Sequence, residues 1–362
     1  MKIIKRYVLW SFLRPFTSGL IAFIMLMAIT HFFDYLHKFL ENKTSFSLLA
    51  TYFLYRIPEW FVTITPVATL LAILFSLGTL NRNHEITAVK SSGIKLIYII
   101  RPLVLFSILM SIVTGLTYET VVPHTNAKAE ELFFIIRGKD PRKADPSRTN
   151  FTYMGSENTM FRIRQFQNNS ISGLTIIEFH PGSLIEKNRL TAKRADYVAG
   201  TTWKLSEVRI RDFNKDAEGD MDYRELDEKT MDLGEKPVNF SKPVKSPEQM
   251  DFLTLFKYIE RLKNSGFSTV KERVLLHYKI SFPFSNTIIL ILGIPIALWG
   301  GLRSRVTGFF ISIVICFIYW GTISVGRALG ASAILSPMLG AWAANLIFLM
   351  ISIMMMKVAR II

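Results

Sequence analysis

The sequence predicts an α-helical polytopic membrane protein with six transmembrane helices and one all-β domain inserted between the third and fourth. Three observations carry this. Half of the 362 residues are hydrophobic and the mean hydropathy is +0.30, whereas soluble domains seldom average above zero. Several apolar stretches of roughly twenty residues are each long enough to cross a bilayer core of about 30 Å. The long polar stretch in the middle of the chain alternates apolar with polar residues, the period of a β-strand.

The spans run approximately Pro15–Phe33, Ile57–Leu80, Leu96–Tyr118, Ile280–Trp299, Val306–Val325 and Pro337–Met356. The first follows a basic start, Met1-Lys2-Ile3-Ile4-Lys5-Arg6, as signal peptides do. Its length and the lack of a small-residue cleavage site near its end make it an uncleaved helix. Pro58, Pro66, Pro283 and Pro295 fall inside spans, where neighbouring helices can re-satisfy the freed carbonyls. Between spans two and three, Asn81 to Gly93 reads as a short helix closed by its glycine.

Charge sets the orientation. The net charge is +15, yet His124 to Phe267 holds 24 Lys+Arg against 22 Asp+Glu, so the basic excess flanks the apolar stretches. That distribution argues against nucleic acid as a partner and for membrane topology. With the N-terminus in the cytoplasm, the inner flanks carry Lys2, Lys5, Arg6, Arg14, Arg82, Lys90, Lys95, Arg101, Arg303, Arg305, Lys357 and Arg360. The short outer loops carry Lys38, Lys43, Arg56 and Arg327, and the approach to span four adds Lys271, Arg273 and Lys279. Lysine and arginine concentrate on the cytoplasmic side of membrane proteins. Both termini are therefore expected inside and the β-domain outside.

Within that domain, Met160–Arg164, Gly173–Phe179 and Trp203–Ile210 read as strands. Asn168-Asn169, His180-Pro181-Gly182 and Gly200-Thr201-Thr202 punctuate them as turns. Ser246-Pro247-Glu248-Gln249 is a capping box with proline in the first turn. Leu255, Phe256, Ile259 and Leu262 follow at helical spacing, and Gly266 ends the helix. A second start, Thr269-Val270-Lys271-Glu272, leads into span four. The predicted division is 1–123 for spans one to three with the short helix at about 82–92, 124–267 for the β-domain with its following helix, and 268–362 for spans four to six.

Little in the chain suggests catalysis. It contains no G-x-x-x-x-G-K-[ST], no G-x-S-x-G and no H-E-x-x-H. The single cysteine, Cys316, lies in an apolar stretch, so neither an intramolecular disulfide nor a cysteine metal cluster can form. His31, Asp34 and His37 share a helix face near the outer end of span one; they are a conceivable metal set or polar residues lining a cavity. Glu59 and Glu119 fall near span ends rather than at the midplane, where ion-driven carriers need carboxylates. Arg327, at the outer end of span five, is either a snorkelling anchor or a contact for a lipid phosphate. His84-Glu85 is either a solvated loop pair or a working one.

The order and spacing of several motifs resemble the lipopolysaccharide export permease family over the whole chain. These are Arg6-Tyr7 opening span one, Pro66 to Leu80 running into Asn83-His84-Glu85-Ile86, and Ser91-Ser92-Gly93. Trp203-Lys204-Leu205, Tyr258-Ile259-Glu260-Arg261-Leu262-Lys263-Asn264-Ser265-Gly266, the Pro283–Leu298 helix and Pro337 complete the set. Of the family's F and G subunits, the Asp34-Tyr35 region and the Tyr-x-x-x-Leu-x-x-Ser-Gly segment are more similar to G.

The resemblance implies a subunit without its own ATPase site. It implies a heterodimer with a homologous permease around a lipid cavity, a cytoplasmic ATPase dimer underneath, and a single-span bridge protein with a β-jelly roll. Lipopolysaccharide would leave the inner membrane through a jelly-roll-like periplasmic β-domain, and no cofactor is implied. Arg82, His84 and Glu85 are then the expected contacts for ATPase coupling. His31, His37, Lys38 and Arg327 are the expected head-group contacts, and Phe161, Ile163, Leu174, Ile176, Trp203 and Leu205 line the interior of the β-domain. An ion-coupled secondary transporter, a membrane-embedded lipid-modifying enzyme and a structural scaffold are the competing readings.

Overall fold

The computed structural model describes residues 2–42, 44–137, 148–155, 159–167, 169–180, 186–213, 221–241, 247–264, 268–298 and 304–359. Lys43, Trp299, Arg303 and Arg360, the turn residues Asn168, Pro181 and Gly182, and Ser246, Ser265 and Gly266 lie outside them. The chain divides into two compact units, Met1–Arg137 with Val270–Ile362, and Gly138–Thr269.

The elements follow in chain order. The first helices are α1 (Lys2–Glu41), α2 (Phe46–Arg82), α3 (Glu85–Ser91) and α4 (Ile97–Leu116), which passes through a π-turn at Thr117–Val121 into α5 (Val122–Ile136). The strands are β1 (Arg148–Met154), β2 (Thr159–Gln167), β3 (Ser170–Phe179), β4 (Glu186–Ala199), β5 (Thr202–Phe213) and β6 (Met221–Asp232). Then come α6 (Pro237–Ser241), a single 3₁₀ turn at Pro247–Gln249, α7 (Phe252–Asn264), α8 (Val270–Ser281), α9 (Ser285–Leu298), α10 (Arg305–Ala331) and α11 (Pro337–Val358).

In the helical unit, five helices are long and apolar enough to cross a membrane, and α8 with α9 makes a sixth span bent by 57°. The bend falls within the expected span Ile280–Trp299, at one of its prolines. Its cause is Pro283, which has no N–H to give and crowds the preceding turn. The third span also runs further than expected: Ile97–Ile136 is 40 residues, about 60 Å of helix and twice the thickness of a bilayer core. α5 therefore projects past the end of the span, and its Ala129 and Ile136 share a small core with Phe39 and Tyr52.

α2 is the axis of this unit. Its residues from Ile64 to Leu74 are buried without interruption, and they share one core with Val8, Phe12 and Phe16 of α1, Ile288–Leu290 of α9 and Tyr319 of α10. Gly293 lets the α9 backbone sit directly on Leu70 and Ile73, where a Cβ would collide. Gly326 and Gly330 of α10 do the same against Gly340 of α11, a small-xxx-small contact. Polar bonds lock the crossings. Ser11 and Ser76 meet at 2.8 Å, Asn286 donates to Thr114 at 2.9 Å, and Asn345 donates to the Ser281 carbonyl at 2.7 Å while accepting from Tyr319.

The second unit is one six-stranded antiparallel sheet in the order β1-β2-β3-β4-β5-β6. The expected strands at Met160–Arg164, Gly173–Phe179 and Trp203–Ile210 are β2, β3 and β5. Phe240 of α6 lies 5.6 Å from Phe161 on β2 and 5.7 Å from Trp203 on β5, strands that a flat sheet would hold about 14 Å apart. Trp203 Nε1 donates to the Glu235 carbonyl at 2.9 Å, fixing the chain that delivers Phe240. Of the expected start at Ser246–Gln249, Pro247–Gln249 form the 3₁₀ turn, Ser246 lies outside the described residues, and α7 starts at Phe252.

The outer face of β5 and β6 is a ladder of ion pairs: Lys204–Glu228 at 2.8 Å, Arg209–Glu225 at 2.6 Å and Arg224–Asp212 at 3.7 Å. The hydrogen bond and charge of Arg209 hold the Glu225 carboxyl below its usual range. The Thr201 hydroxyl and the Gly234 N–H do the same for Asp232. A carboxyl depressed in the folded state stabilises it above the unfolded pKa, and that help is lost as pH falls through the folded value. The gap in denaturant midpoint between wild type and Glu225→Gln should thus be open at about pH 6 and narrow as pH falls through the depressed value of the folded carboxyl. A gap unchanged with pH would mean that the pair contributes nothing to folding.

Candidate functional site

The residues expected to couple the chain to an ATPase gather at one end of the helical unit. α2 ends at Arg82, His84 takes a left-handed conformation (φ 61), and α3 starts at Glu85. Gly93 (φ +77) releases the chain toward α4. Arg82 and His84 are exposed and Glu85 is half-buried. Ile86 is buried in the main core with Val8 of α1, Leu80 of α2 and Leu96 and Ile99 of α4. The Glu85 carboxylate interacts with the Tyr7 side chain from α1 and accepts from the Asn83 amide at 3.4 Å. Asn81 donates to the Leu298 carbonyl at 3.0 Å, tying the end of α2 to the end of α9. α3 thus shares the main core, meets α1 through Tyr7 and follows directly on α2, whose end is tied to α9 through Asn81.

The expected head-group contacts do not form one group within this chain. His31 is half-buried in an aromatic cluster: its Nε2 bonds the Tyr52 hydroxyl at 2.6 Å, and the rings of Tyr35, Phe53 and Trp60 surround it. It thus packs among aromatic rings with one ring nitrogen engaged by Tyr52. His31, Asp34 and His37, a conceivable metal set or polar residues lining a cavity, are not grouped for a metal: among the described residues no three His, Cys, Asp or Glu could hold one. His37 is exposed and pairs with Glu41 at 3.1 Å. Lys38 lies over the Tyr35 ring at 4.9 Å. Arg327 is held elsewhere, 4.3 Å from the Tyr278 ring centroid.

Sequence reading passed over the partners that hold these side chains. Tyr278 under Arg327, Tyr52 on His31 and the Lys279–Glu119 pair at 3.6 Å come from separate spans, and no local spacing announces them. In the β unit the candidate lining residues Phe161, Ile163 and Ile176 are 1%, 0% and 4% exposed. They form a packed core with Leu174, Trp203, Leu205 and Phe240.

Comparison with known proteins gives this architecture its context. The family model for the lipopolysaccharide export system permease LptF/LptG matches residues 6–358. The chain belongs to that family. An uncharacterized protein of Aquifex aeolicus (strain VF5) is 25% identical over 328 residues, 88% of this chain and 87% of that one. The match does not divide the F from the G subunit, so the G-like reading of the Asp34-Tyr35 region stands as an expectation. As a lipopolysaccharide export permease the chain is a multi-pass membrane transport subunit, and its membrane-crossing helices and β-sheet unit are those of the family plan.

The His31–Tyr52 bond in this permease joins α1 to α2 beyond their buried core. Leaving one partner unsatisfied costs about 1–3 kcal/mol, whereas the net value of the bond is about 1 kcal/mol. A double-mutant cycle of His31→Phe and Tyr52→Phe, read by unfolding in detergent micelles, should give a coupling of about 1 kcal/mol. Strict additivity would show that the two rings merely stack.

Proposed function

We propose that the chain is one permease subunit of an ATP-driven exporter that extracts lipopolysaccharide from the inner membrane of a bacterium. A homologous subunit completes the lipid cavity and a cytoplasmic ATPase dimer supplies the energy. The β unit lies in the periplasm and hands the glycolipid to a bridge protein with a β-jelly roll. The observation that carries the reading is α3, a short helix whose apolar face is embedded in the span core and whose carboxylate is half-exposed at its N-terminus. A permease without a nucleotide site needs such a rigid element, because motion of an ATPase below must be passed to the spans above.

The distribution of uncovered surface supports the cavity. Only 11% of the apolar window of α1 is buried, and 28% of that of α10, against 83% of α2. Ile21, Met25, Ile29 and Phe33 on α1, and Phe310, Val314, Phe317 and Val325 on α10, are exposed. These are the faces on which a second permease and acyl chains would lie. His37 and Lys38 at the end of α1, and Arg327 on α10, are the basic side chains proposed to meet the phosphates that would follow. Arg327 must leave Tyr278 to reach one.

The sheet edges support the bridge. Seven of the twelve β6 residues are charged, a device that guards an edge against pairing. β1, Arg-Thr-Asn-Phe-Thr-Tyr-Met, has one charge and is the edge on which a partner strand would add.

Two experiments test the reading. An introduced thiol at Asn169 should react with an impermeant reagent from outside the cell and one at Asn83 should not; the reverse pattern would overturn the topology and export with it. Glu85→Ala should weaken retention of the ATPase on purification or lower the glycolipid released per ATP, and Glu85→Lys should do so more severely. A buried charge pair at an interface costs roughly 2–5 kcal/mol when one side is removed, while a solvated surface acid costs well under about 1 kcal/mol. Wild-type assembly and transport in both variants would remove Glu85 from the coupling path.

A further inference from the structure

Glu85 is not held by α3 alone. Its carboxylate takes a hydrogen bond from the Tyr7 hydroxyl of α1 and a longer one, at 3.4 Å, from the Asn83 amide where α2 ends. Both donors are neutral. Among the described residues no lysine or arginine pairs with Glu85, so its charge is unanswered within them. The Asn83 bond is local. The Tyr7 bond joins the carboxylate to a different span.

The inner end of α1 is placed to bring that hydroxyl to α3. Ile4 and Val8, one helical turn apart, pack into the core that takes Ile86 of α3 and Leu96 and Ile99 of α4. Ser11 meets Ser76 of α2 at 2.8 Å, fixing the same end from a second side. Tyr7 shares the face of α1 that Ile4 starts, and its ring leaves the edge of this contact 52% exposed. A phenylalanine would fill the same space. Packing therefore does not account for a tyrosine here, and its hydroxyl is the part with a specific partner.

We propose that Tyr7 is a positioning residue for the coupling contact: its hydroxyl holds the Glu85 carboxylate in the orientation in which a cationic side chain of the ATPase meets it. The proposal rests on the reading of α3 as the coupling helix. A carboxylate has about four acceptor sites. The hydroxyl and the amide engage two and leave room for an ammonium or a guanidinium. A free glutamate gives up several rotamers when it pairs. One already held by donors gives up fewer, and binds more tightly through the same contact. The chemistry of the donor matters as well. A cation in the place of Tyr7 would neutralise Glu85 and compete with the partner, whereas a phenol orients the charge and leaves it available.

The test uses the full-length chain with its homologous permease, purified in mild detergent and titrated with the purified ATPase subunit. Wild type, Tyr7→Phe, Glu85→Ala and the double variant are compared. Tyr7→Phe should weaken ATPase binding about tenfold, the factor that 1.4 kcal/mol corresponds to, and leave the unfolding temperature of the permease unchanged. In the Glu85→Ala background the same change should have no effect, because no carboxylate is left to position. A hydroxyl with a merely structural role would weaken binding equally in both backgrounds. Tighter binding in Tyr7→Phe would make the hydroxyl a competitor of the ATPase, and unchanged binding would make it a bystander. Any of these three results overturns the proposal, and all three spare the coupling reading as long as Glu85→Ala itself binds more weakly. A Glu85→Ala variant that binds the ATPase as wild type does would remove the coupling reading and this inference with it.

Discussion

Burial of α2 is the constraint on which the helical unit depends. A helix in a bilayer satisfies its own backbone, so spans associate through close packing and side-chain hydrogen bonds rather than by escape from water. α2 meets that condition on all sides. Leu70 and Ile73 take the α9 backbone at Gly293, Ser76 takes Ser11 of α1, and Thr65 and Thr69 return their hydroxyls to their own helix. α1 and α10 each give one face to this axis and keep the other bare. The division of labour follows: a buried strut that cannot move alone, and two flanking spans free to face a partner or a lipid.

α3 inherits its rigidity from the same core. Seven residues are far below the length at which an isolated helix is stable, and α3 holds its form because Ile86 is buried among α1, α2 and α4. The outer half of the bundle is built differently. There the π-turn at Thr117–Val121 and the break between α8 and α9 face each other through Glu119 and Lys279. The pair at 3.6 Å is joined by Tyr118, whose ring lies 4.7 Å from the Lys279 amine and 6.3 Å from the Phe282 ring, so the two irregular stretches are held by side chains where regular helix packing gives way.

How much of this the sequence disclosed depends on how local the cause is. The six spans, the short helix after span two and strands β2, β3 and β5 are written in periodicity over a few residues. β4 is not, because its inward positions include Ala192 and Ala195, too small to stand out against Lys193 and Arg194. β6 is not, because its pattern is charge answering the charges of β5 across the ladder. Pro283 was visible as a proline in a span, but whether a proline bends its helix depends on the neighbours, and Pro58 and Pro66 lie inside α2, which runs unbroken from Phe46 to Arg82. His31 is the clearest case of a role set at long range. Its residue type suggests a polar contact, and Tyr52, from the next helix, makes it part of a wall.

The β unit poses a last physical question, since its interior is already full. Phe161, Ile163, Leu174, Trp203 and Phe240 are each at most 1% exposed, so an acyl chain in the proposed path would have to displace one of them. Phe240 is the least costly. It stands on a five-residue helix, not on a strand held from both sides, and its neighbours are rings that can re-close on another apolar group. Losing a buried phenylalanine costs about 3–5 kcal/mol, and each buried methylene returns about 0.8 kcal/mol. Roughly four to six methylenes in the place of Phe240 therefore balance its removal. On the proposed export path, an acyl segment of that length would take the place of Phe240, and Phe240 would return once the chain had passed. On that proposal a packed core and a conduit would be two states of one sheet, separated by the exchange of one side chain for a stretch of acyl chain of about its own size.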